Sequence, residues 1–151
     1  MVDVHTLEIL PTVEELNEAV GRAFLARLRT LINEAGAGSR VDLAISGGAI
    51  TTSLLPSLLP FVGEVDWSRV RVWLVDERYV ASGDEDRNDD QAWEGFFRAA
   101  AGVEFVRMPT SDASAPGAGS LDEATAAFAQ TWRELMGERS FDIALIGMGP
   151  D

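Results

Sequence analysis

The amino-acid sequence predicts an α/β fold, an open and mainly parallel sheet with helices on both faces. Short apolar, strand-like runs begin at Val41, Val70, Val103 and Phe141, and segments of helical length alternate with them. This alternation is typical of parallel strands joined by right-handed crossovers. A chain of 151 residues, 46% of them hydrophobic, is long enough to bury the core of one domain. We therefore expect residues 1–151 to form a single α/β domain.

The first amphipathic segment predicts a long helix. Thr12 and Glu15 have the spacing of a capping box, and Gly36 offers a C-terminal stop. Between them, apolar residues recur at helical spacing: Val13, Leu16, Val20, Phe24, Leu28, Leu31 and Ala35. The segment before this helix, residues 2–9, is a candidate for a first strand.

Three further helices are expected. Thr51 or Thr52 would cap a second helix that reaches about Leu59, and a third helical pattern follows the polar stretch 82–90. Ser120 and Glu123 form another capping box, which opens the fourth helix. We interpret the large aromatic residues of these helices and strands as core packing: Phe24, Trp73, Trp93, Phe97, Phe128 and Trp132.

Composition and charge disfavour several classes of protein. The chain has 12 basic and 25 acidic residues, and its net charge of −13 repels nucleic acid and anionic membranes. It has no cysteine, which excludes a disulfide framework and a thiolate zinc site. The first residues lack signal-peptide features, and no apolar run approaches the roughly 20 residues of a membrane-spanning helix. We expect a cytoplasmic protein, monomeric or weakly homo-oligomeric.

Polar clusters follow three of the strand-like runs. Ser46-Gly47-Gly48 ends the first run, Asp76-Glu77-Arg78 ends the second, and Gly147-Met148-Gly149 ends the last. Ligands of open α/β sheets bind outside the carboxyl ends of the strands. We therefore expect Ser46, Asp76 and Gly147 to lie at one edge of the sheet and to share one site.

Each cluster has a functional and a purely structural interpretation. The two glycines after Ser46 allow a tight turn whose N–H groups bind a phosphate, although such a turn also occurs without a ligand. Neither a Walker sequence nor a dinucleotide fingerprint is present. Arg78 can bind phosphate oxygens and Asp76 can orient a donor, or the triplet can be a structural ion pair. Asn88 is either a ligand of a sugar hydroxyl or an ordinary loop residue.

Other titratable residues are interpreted as structural. An acidic run lacks the ligand order and glycine of a calcium loop, so it predicts a solvated loop and no metal site: Asp84, Glu85, Asp86, Asp89 and Asp90. His5, the single histidine, has no serine or carboxylate pattern around it that indicates catalysis.

Together the motifs resemble the 6-phosphogluconolactonase family. The resemblance rests on segments 44–48 (Ala-Ile-Ser-Gly-Gly), 73–80 (Trp-Leu-Val-Asp-Glu-Arg-Tyr-Val), 87–88 (Arg-Asn) and 141–151 (Phe-Asp-Ile-Ala-Leu-Ile-Gly-Met-Gly-Pro-Asp). It implies a modified Rossmann-like sheet and hydrolysis of 6-phosphogluconolactone to 6-phosphogluconate in the pentose phosphate pathway, without metal or organic cofactor. A small sugar phosphate is then the expected partner.

The resemblance also implies roles for individual residues. The substrate phosphate would be held by Ser46, Gly47, Gly48 and Arg78, and the site would also be lined by Asp76 and Asn88. One departure concerns Ala49-Ile50-Thr51, which stand where Ser-Thr-Pro often follows the glycines of the family. That departure affects hydroxyl contacts to phosphate and leaves the backbone donors in place.

Catalysis by the family depends on a histidine that this chain lacks. In the family motif Gly-Met-Gly-x-Asp-Gly-His, the final histidine is taken as the general base, and Asp151 is its motif neighbour two positions before it. We therefore expect an incomplete domain that ends on its C-terminal side within this motif, and a chain that is inactive by itself.

Two alternatives stay open. A sugar-phosphate isomerase or deaminase of the glucosamine-6-phosphate type shares the fold, but its motif reads Asp-Glu-Tyr where this chain has Asp76-Glu77-Arg78-Tyr79. The other is a sugar-phosphate-binding protein or fragment without catalysis, such as the effector domain of a transcription regulator. The acidic N-terminal region shows no basic DNA-binding helices.

Overall fold

The computed structural model describes residues 6–112 and 119–149. Within these ranges the helices and strands are α1 (Val13–Glu34), β1 (Val41–Ile45), α2 (Leu55–Ser57), β2 (Val70–Leu74), α3 (Asn88–Gly95), β3 (Glu104–Val106), α4 (Leu121–Leu135) and β4 (Ile143–Leu145). A π-helical turn, Ile50–Leu54, leads directly into α2, and short 3-10 turns lie at Leu59–Glu64, Trp67–Arg69 and Phe97–Ala99.

The strands form one parallel sheet in the order β3-β2-β1-β4. β1 is central, with Leu43 opposite both Val72 of β2 and Ile143 of β4. Since the strands are parallel, their carboxyl ends meet at a single edge. The predicted α/β class with a parallel sheet is confirmed.

Helices cover both faces of the sheet, as predicted. On one face, α1 and the segment 50–58 pack on β1 and β2 through a core that includes Phe24, Leu28, Leu43, Leu55 and Val72. On the other face, the buried Trp73 meets aromatic rings of α4 and of the segment before β4. Its ring centroid lies 6.2 Å from that of Phe128, 5.1 Å from that of Trp132 and 6.3 Å from that of Phe141. Aromatic pairs at these distances stabilise a core beyond their buried area.

Both capping boxes form at their N-cap residues. The Thr12 hydroxyl accepts from the Glu15 N–H at 3.2 Å, and the Ser120 hydroxyl accepts from the Glu123 N–H at 3.1 Å. Each bond satisfies a first-turn N–H group that has no partner inside its own helix. The starts of α1 and α4 are therefore set by local sequence.

Three predicted features are wrong. Residues 6–10 form no strand, because they pair with none of the four strands of the described sheet, and Leu7 and Ile9 are 86% and 84% exposed. The rest of that candidate strand, including His5, lies outside the described residues. The second helical segment starts before either threonine, and both hydroxyls of Thr51 and Thr52 bond back to the Gly48 carbonyl, at 3.1 and 2.9 Å.

The third correction concerns the end of the predicted polar loop, because Asn88, Asp89 and Asp90 begin α3 and Asp89 is buried. The polar stretch therefore ends at Arg87, three residues earlier than its composition indicates, and the prediction of a solvated acidic loop is wrong for Asp89. Among the helices of the described ranges, none is both long and apolar enough to cross a membrane.

Candidate functional site

A cavity of about 380 Å³ opens at the carboxyl edge of the sheet. Its walls come from the turn after β1, the loop after β2, the first residue of α3 and the loop after β4: Ser46, Gly47, Gly48, Ala49, Asp76, Arg78, Asn88, Gly147, Met148 and Gly149. The predicted convergence of Ser46, Asp76 and Gly147 at one edge is confirmed. Asp151, the remaining predicted site residue, lies outside the described residues.

A second cavity, of about 420 Å³, lies between α1 and the 3-10 turn Leu59–Glu64, away from the strand ends. Two of its arginines are already paired, Arg22 with Glu18 and Arg29 with Glu64. Although this cavity is larger than the first, its lining residues therefore offer a ligand no unpaired cationic side chain.

The turn after β1 presents backbone donors to the first cavity. Gly48 has a φ of +64°, a left-handed conformation that glycine adopts without strain. In the part of the chain that the structure describes, the N–H groups of Gly47, Gly48 and Ala49 have no hydrogen-bond acceptor. Successive free N–H groups in such a turn form an anion-binding concavity.

Gly47 allows this turn to approach α3 closely. A Cβ atom at this position would lie 2.0 Å from Oδ1 of Asn88, far inside van der Waals contact. The Asn88 side chain is therefore packed over the turn, and its Nδ2 donates to the Asp76 carbonyl at 3.3 Å. Asn88 thus joins the turn after β1 to the loop after β2.

The triplet after β2 separates into two functions. Asp76 and Arg78 are exposed and line the cavity, and between the described residues neither side chain forms an ion pair. Glu77 points into the protein, with a side chain only 2% exposed. The interpretation of the triplet as a structural ion pair therefore holds only for Glu77, whose Oε2 lies 3.7 Å from Nε of the buried Arg87.

Ser46 connects the turn after β1 to the loop after β4. Its Oγ accepts from the Gly147 N–H at 2.8 Å, while its own hydroxyl proton has only a long contact, 3.5 Å, to the Gly47 carbonyl. The Ser46 hydroxyl thus already accepts one hydrogen bond, and its proton can still be donated to a ligand oxygen. Thr51 differs, because it is 2% exposed and its hydroxyl lies 3.1 Å from Gln91 Oε1, away from the cavity.

Sequence reasoning missed the residues that support this site. Arg87 is 1% exposed and bonds to three backbone carbonyls, although it appeared only as the neighbour of Asn88. Glu77 caps α3 from a distance in sequence. No local pattern indicates either contact, because both join segments that become neighbours only in the fold.

Comparison with known proteins agrees with this architecture. A family profile described as "Glucosamine-6-phosphate isomerases/6-phosphogluconolactonase" matches residues 11–151. A Streptomyces coelicolor protein named 6-phosphogluconolactonase is 32% identical over 144 residues, which cover 89% of this chain and 55% of that protein. A Mycobacterium leprae protein of the same name is 29% identical, with 97% of this chain and 60% of that protein covered.

A solved structure has the same fold. The crystal structure of a 6-phosphogluconolactonase from Shewanella baltica superposes with a TM-score of 0.72 at 23% identity, covering 93% of this chain and 55% of that one. The chain thus spans between about half and three fifths of the length of these proteins. The profile match and the relatives establish that the chain belongs to the glucosamine-6-phosphate isomerase/6-phosphogluconolactonase family.

Proposed function

We propose that the protein containing this chain hydrolyses 6-phosphogluconolactone, and that the cavity at the sheet edge binds the phosphate end of this substrate. The supporting observation is that one cavity contains two kinds of hydrogen-bond donor suited to an anion, and that neither kind has a partner within the described part of the chain. The N–H groups of Gly47, Gly48 and Ala49 and the guanidinium of Arg78 lack partners among the described residues, and all four residues line the cavity.

Phosphate fits these donors better than a neutral group does. A guanidinium binds two phosphate oxygens at once, while the backbone N–H groups bind the third oxygen without a competing side chain. The net charge of −13 repels a phosphate at long range, so the attraction has to be local. We assign Ser46 to the same group, since its hydroxyl proton is available.

Asp76 is assigned to the sugar and not to the phosphate. A carboxylate beside a phosphate is repelled by it, whereas a carboxylate accepts hydrogen bonds from sugar hydroxyls. Asn88 donates to the Asp76 carbonyl, and its Oδ1 then accepts from a further hydroxyl of the substrate.

Hydrolysis of the lactone requires a base close to the carbonyl carbon. Water loses a proton to that base and forms a C–O bond to the carbonyl carbon, after which the ring C–O bond breaks and the ring oxygen takes up a proton. Because a lactone is an activated ester, positioning and one base suffice without a covalent nucleophile. We assign the base to the histidine that follows Asp151 in the family motif, so the chain 1–151 is expected to bind substrate and not to turn it over.

The isomerase or deaminase reaction is the second candidate, since the family description names both activities. The relatives cited above carry the name 6-phosphogluconolactonase, and Arg78 stands where the isomerase motif has tyrosine. Both points favour the lactonase. A cytoplasmic location and a single domain spanning residues 1–151 stay predictions.

The test is a turnover assay on two proteins, the chain 1–151 and the full-length protein that contains it together with the family's histidine, called here the extended protein. We expect 6-phosphogluconate release from 6-phosphogluconolactone by the extended protein, and a rate for chain 1–151 lower by about 100- to 10,000-fold, the usual effect of losing a general base. A protein-free blank corrects for spontaneous hydrolysis. Fructose 6-phosphate release from glucosamine 6-phosphate, without lactone hydrolysis, would favour the second candidate.

A further inference from the structure

A buried charged cluster lies directly behind the cavity. The side chains of Glu77, Arg87 and Asp89 are 2%, 1% and 2% exposed. Buried charges are stable only when their hydrogen bonds are complete, and losing one partner is costly. The cluster is interleaved in sequence with the cavity, because Glu77 precedes Arg78 and Arg87 precedes Asn88.

Glu77 binds three backbone N–H groups with one carboxylate. Its Oε1 accepts from Arg78 at 2.8 Å and from Asn88 at 2.9 Å, and its Oε2 accepts from Asp89 at 2.8 Å. The N-cap residue of α3 is Arg87, whose side chain makes no capping bond. Glu77 therefore caps α3 from the loop after β2, where a negative charge also suits the helix dipole.

Arg87 uses all five N–H donors of its guanidinium. Nη1 donates to the Arg78 carbonyl at 2.8 Å and to the Pro109 carbonyl at 3.3 Å. Nη2 donates to the Met108 carbonyl at 2.8 Å and to Oδ2 of Asp89 at 2.6 Å, and Nε donates to Oδ1 of Asp89 at 3.2 Å. Arg87 thus joins the loops after β2 and β3 to α3, and lysine, with three donors, cannot replace it.

Arg78 has an exposed side chain on a backbone that the buried cluster holds in place. Its backbone is held on both sides, at the N–H by Glu77 and at the carbonyl by Arg87, while its guanidinium has no described partner. A side chain that starts from a fixed backbone loses less freedom when it binds a ligand than one on a loose loop.

We propose that Glu77 and Arg87 are positioning residues, which hold Arg78 where it binds the phosphate of the substrate. The proposal rests on the proposed function of the cavity. Neither residue lines the cavity with a charged group of its own; both act through the backbone of the residues beside them. A displacement of about 1 Å in a binding group can lower a rate by roughly 100-fold, so this support is expected to be visible in kinetics.

The experiment compares two substrates in the extended protein, 6-phosphogluconolactone and gluconolactone without phosphate. Glu77→Gln keeps the side-chain shape but places an NH₂ group against at least one of the three N–H donors. We expect kcat/KM for the phosphorylated lactone to fall by about 10- to 100-fold, mainly through KM, while that for gluconolactone changes by less than about threefold. Glu85→Gln, the same change on an exposed side chain of the following loop, is the matched control and should leave both values unchanged.

A double variant distinguishes positioning from general structural support. If Glu77 acts through Arg78, Glu77→Gln combined with Arg78→Met should lose little more phosphate selectivity than Arg78→Met alone. Should Glu77→Gln fail to fold, Asp89→Asn provides a milder test. It removes the negative charge of residue 89 but retains an acceptor for Arg87. The expected result is then a smaller loss of the same selectivity.

Three results would overturn the positioning role while leaving the proposed function intact. The first is a Glu77→Gln or Asp89→Asn variant that keeps full preference for the phosphorylated lactone. The second is an equal loss on both lactones, and the third is additive losses in the double variant. An unmodified extended protein without lactonase activity would instead overturn the proposed function, and the positioning role would fall with it.

Discussion

Two charged regions near β1 and β2 differ in how their charges are satisfied. On the α4 face, Asp42 is fully buried and accepts from Trp73 Nε1 at 2.9 Å, from Arg71 Nη1 at 3.4 Å and from Arg139 Nη1 at 3.1 Å. At the carboxyl edge, Asp76 and Arg78 are two positions apart and exposed, yet they form no ion pair with each other.

The difference follows from solvent access. Inside the protein an unpaired charge costs several kcal/mol, so Asp42 must find partners for the chain to fold. At the sheet edge, water satisfies Asp76 and Arg78 until a ligand replaces it. The buried charges of this fold thus need their partners, whereas the unpaired exposed ones are available for binding. Four substitutions, from the largest expected effect to the smallest, test this distinction.

Asp42→Ala should cause the largest loss of stability. Removing one partner of a buried charge network costs about 3 to 5 kcal/mol, and we expect the lower end because Arg71 keeps its ion pair with Glu104 at 3.1 Å. Chemical denaturation of chain 1–151 measures the free energy of unfolding. Glu138→Ala, an exposed acid close in sequence to Arg139, is the control. A loss below about 1 kcal/mol would contradict the assignment of Asp42 as a structural charge.

Arg78→Met should weaken binding and leave stability unchanged. Hydrogen bonds to charged groups contribute about 1.5 to 3 kcal/mol, which corresponds to roughly a 10- to 150-fold rise in the Kd of 6-phosphogluconate. Calorimetric titration of the extended protein measures this Kd, and a thermal melt checks the fold. Arg27→Met, on an exposed arginine of α1 without a described ion pair, serves as control. Unchanged affinity for 6-phosphogluconate would show that Arg78 is not a phosphate ligand.

Gly47→Ala should affect both properties, because Gly47 belongs to the cavity and to the packing beneath it. The new methyl group would meet Asn88 and push its side chain aside, and such overpacking costs about 1 to 3 kcal/mol of unfolding free energy. Gly63→Ala is the control, since no atom lies within 4 Å of the added Cβ there. A variant as stable as the unmodified chain, with full ligand affinity, would mean that Asn88 has room to move.

Ser46→Ala should have the smallest effect. The Gly147 N–H loses its acceptor, and a hydrogen bond of this kind contributes about 0.5 to 1.5 kcal/mol. Faster amide hydrogen exchange at Gly147, beside a modest loss in unfolding free energy, would measure the loosened link between the two loops. Ser140→Ala, at an exposed serine, is the comparison. Unaltered exchange at Gly147 would contradict the linking role of Ser46.

Part of this site was predictable because strand ends carry recognisable polar residues. Ser46, Asp76, Arg78 and Gly147 follow apolar runs, and parallel strands bring such positions to one edge. The sequence did not predict the separate roles within the triplet after β2. Asp76, Glu77 and Arg78 are equally polar in sequence, and only the packing of α3 against their loop buries Glu77 and leaves the other two exposed.

The sequence by itself determined the α/β class, the starts of α1 and α4, and the edge at which the polar residues gather. These features depend on local hydrogen bonds and on hydrophobic periodicity, and residues close in sequence determine both. Tertiary structure alone decided that segment 6–10 is not a strand, that Asn88 begins a helix, and that Arg87 is buried. Each of these depends on partners distant in sequence, such as the Glu77 carboxylate for α3 and the carbonyls of Met108 and Pro109 for Arg87. Backbone groups take whichever partner the fold brings near, and a single sequence does not specify that partner.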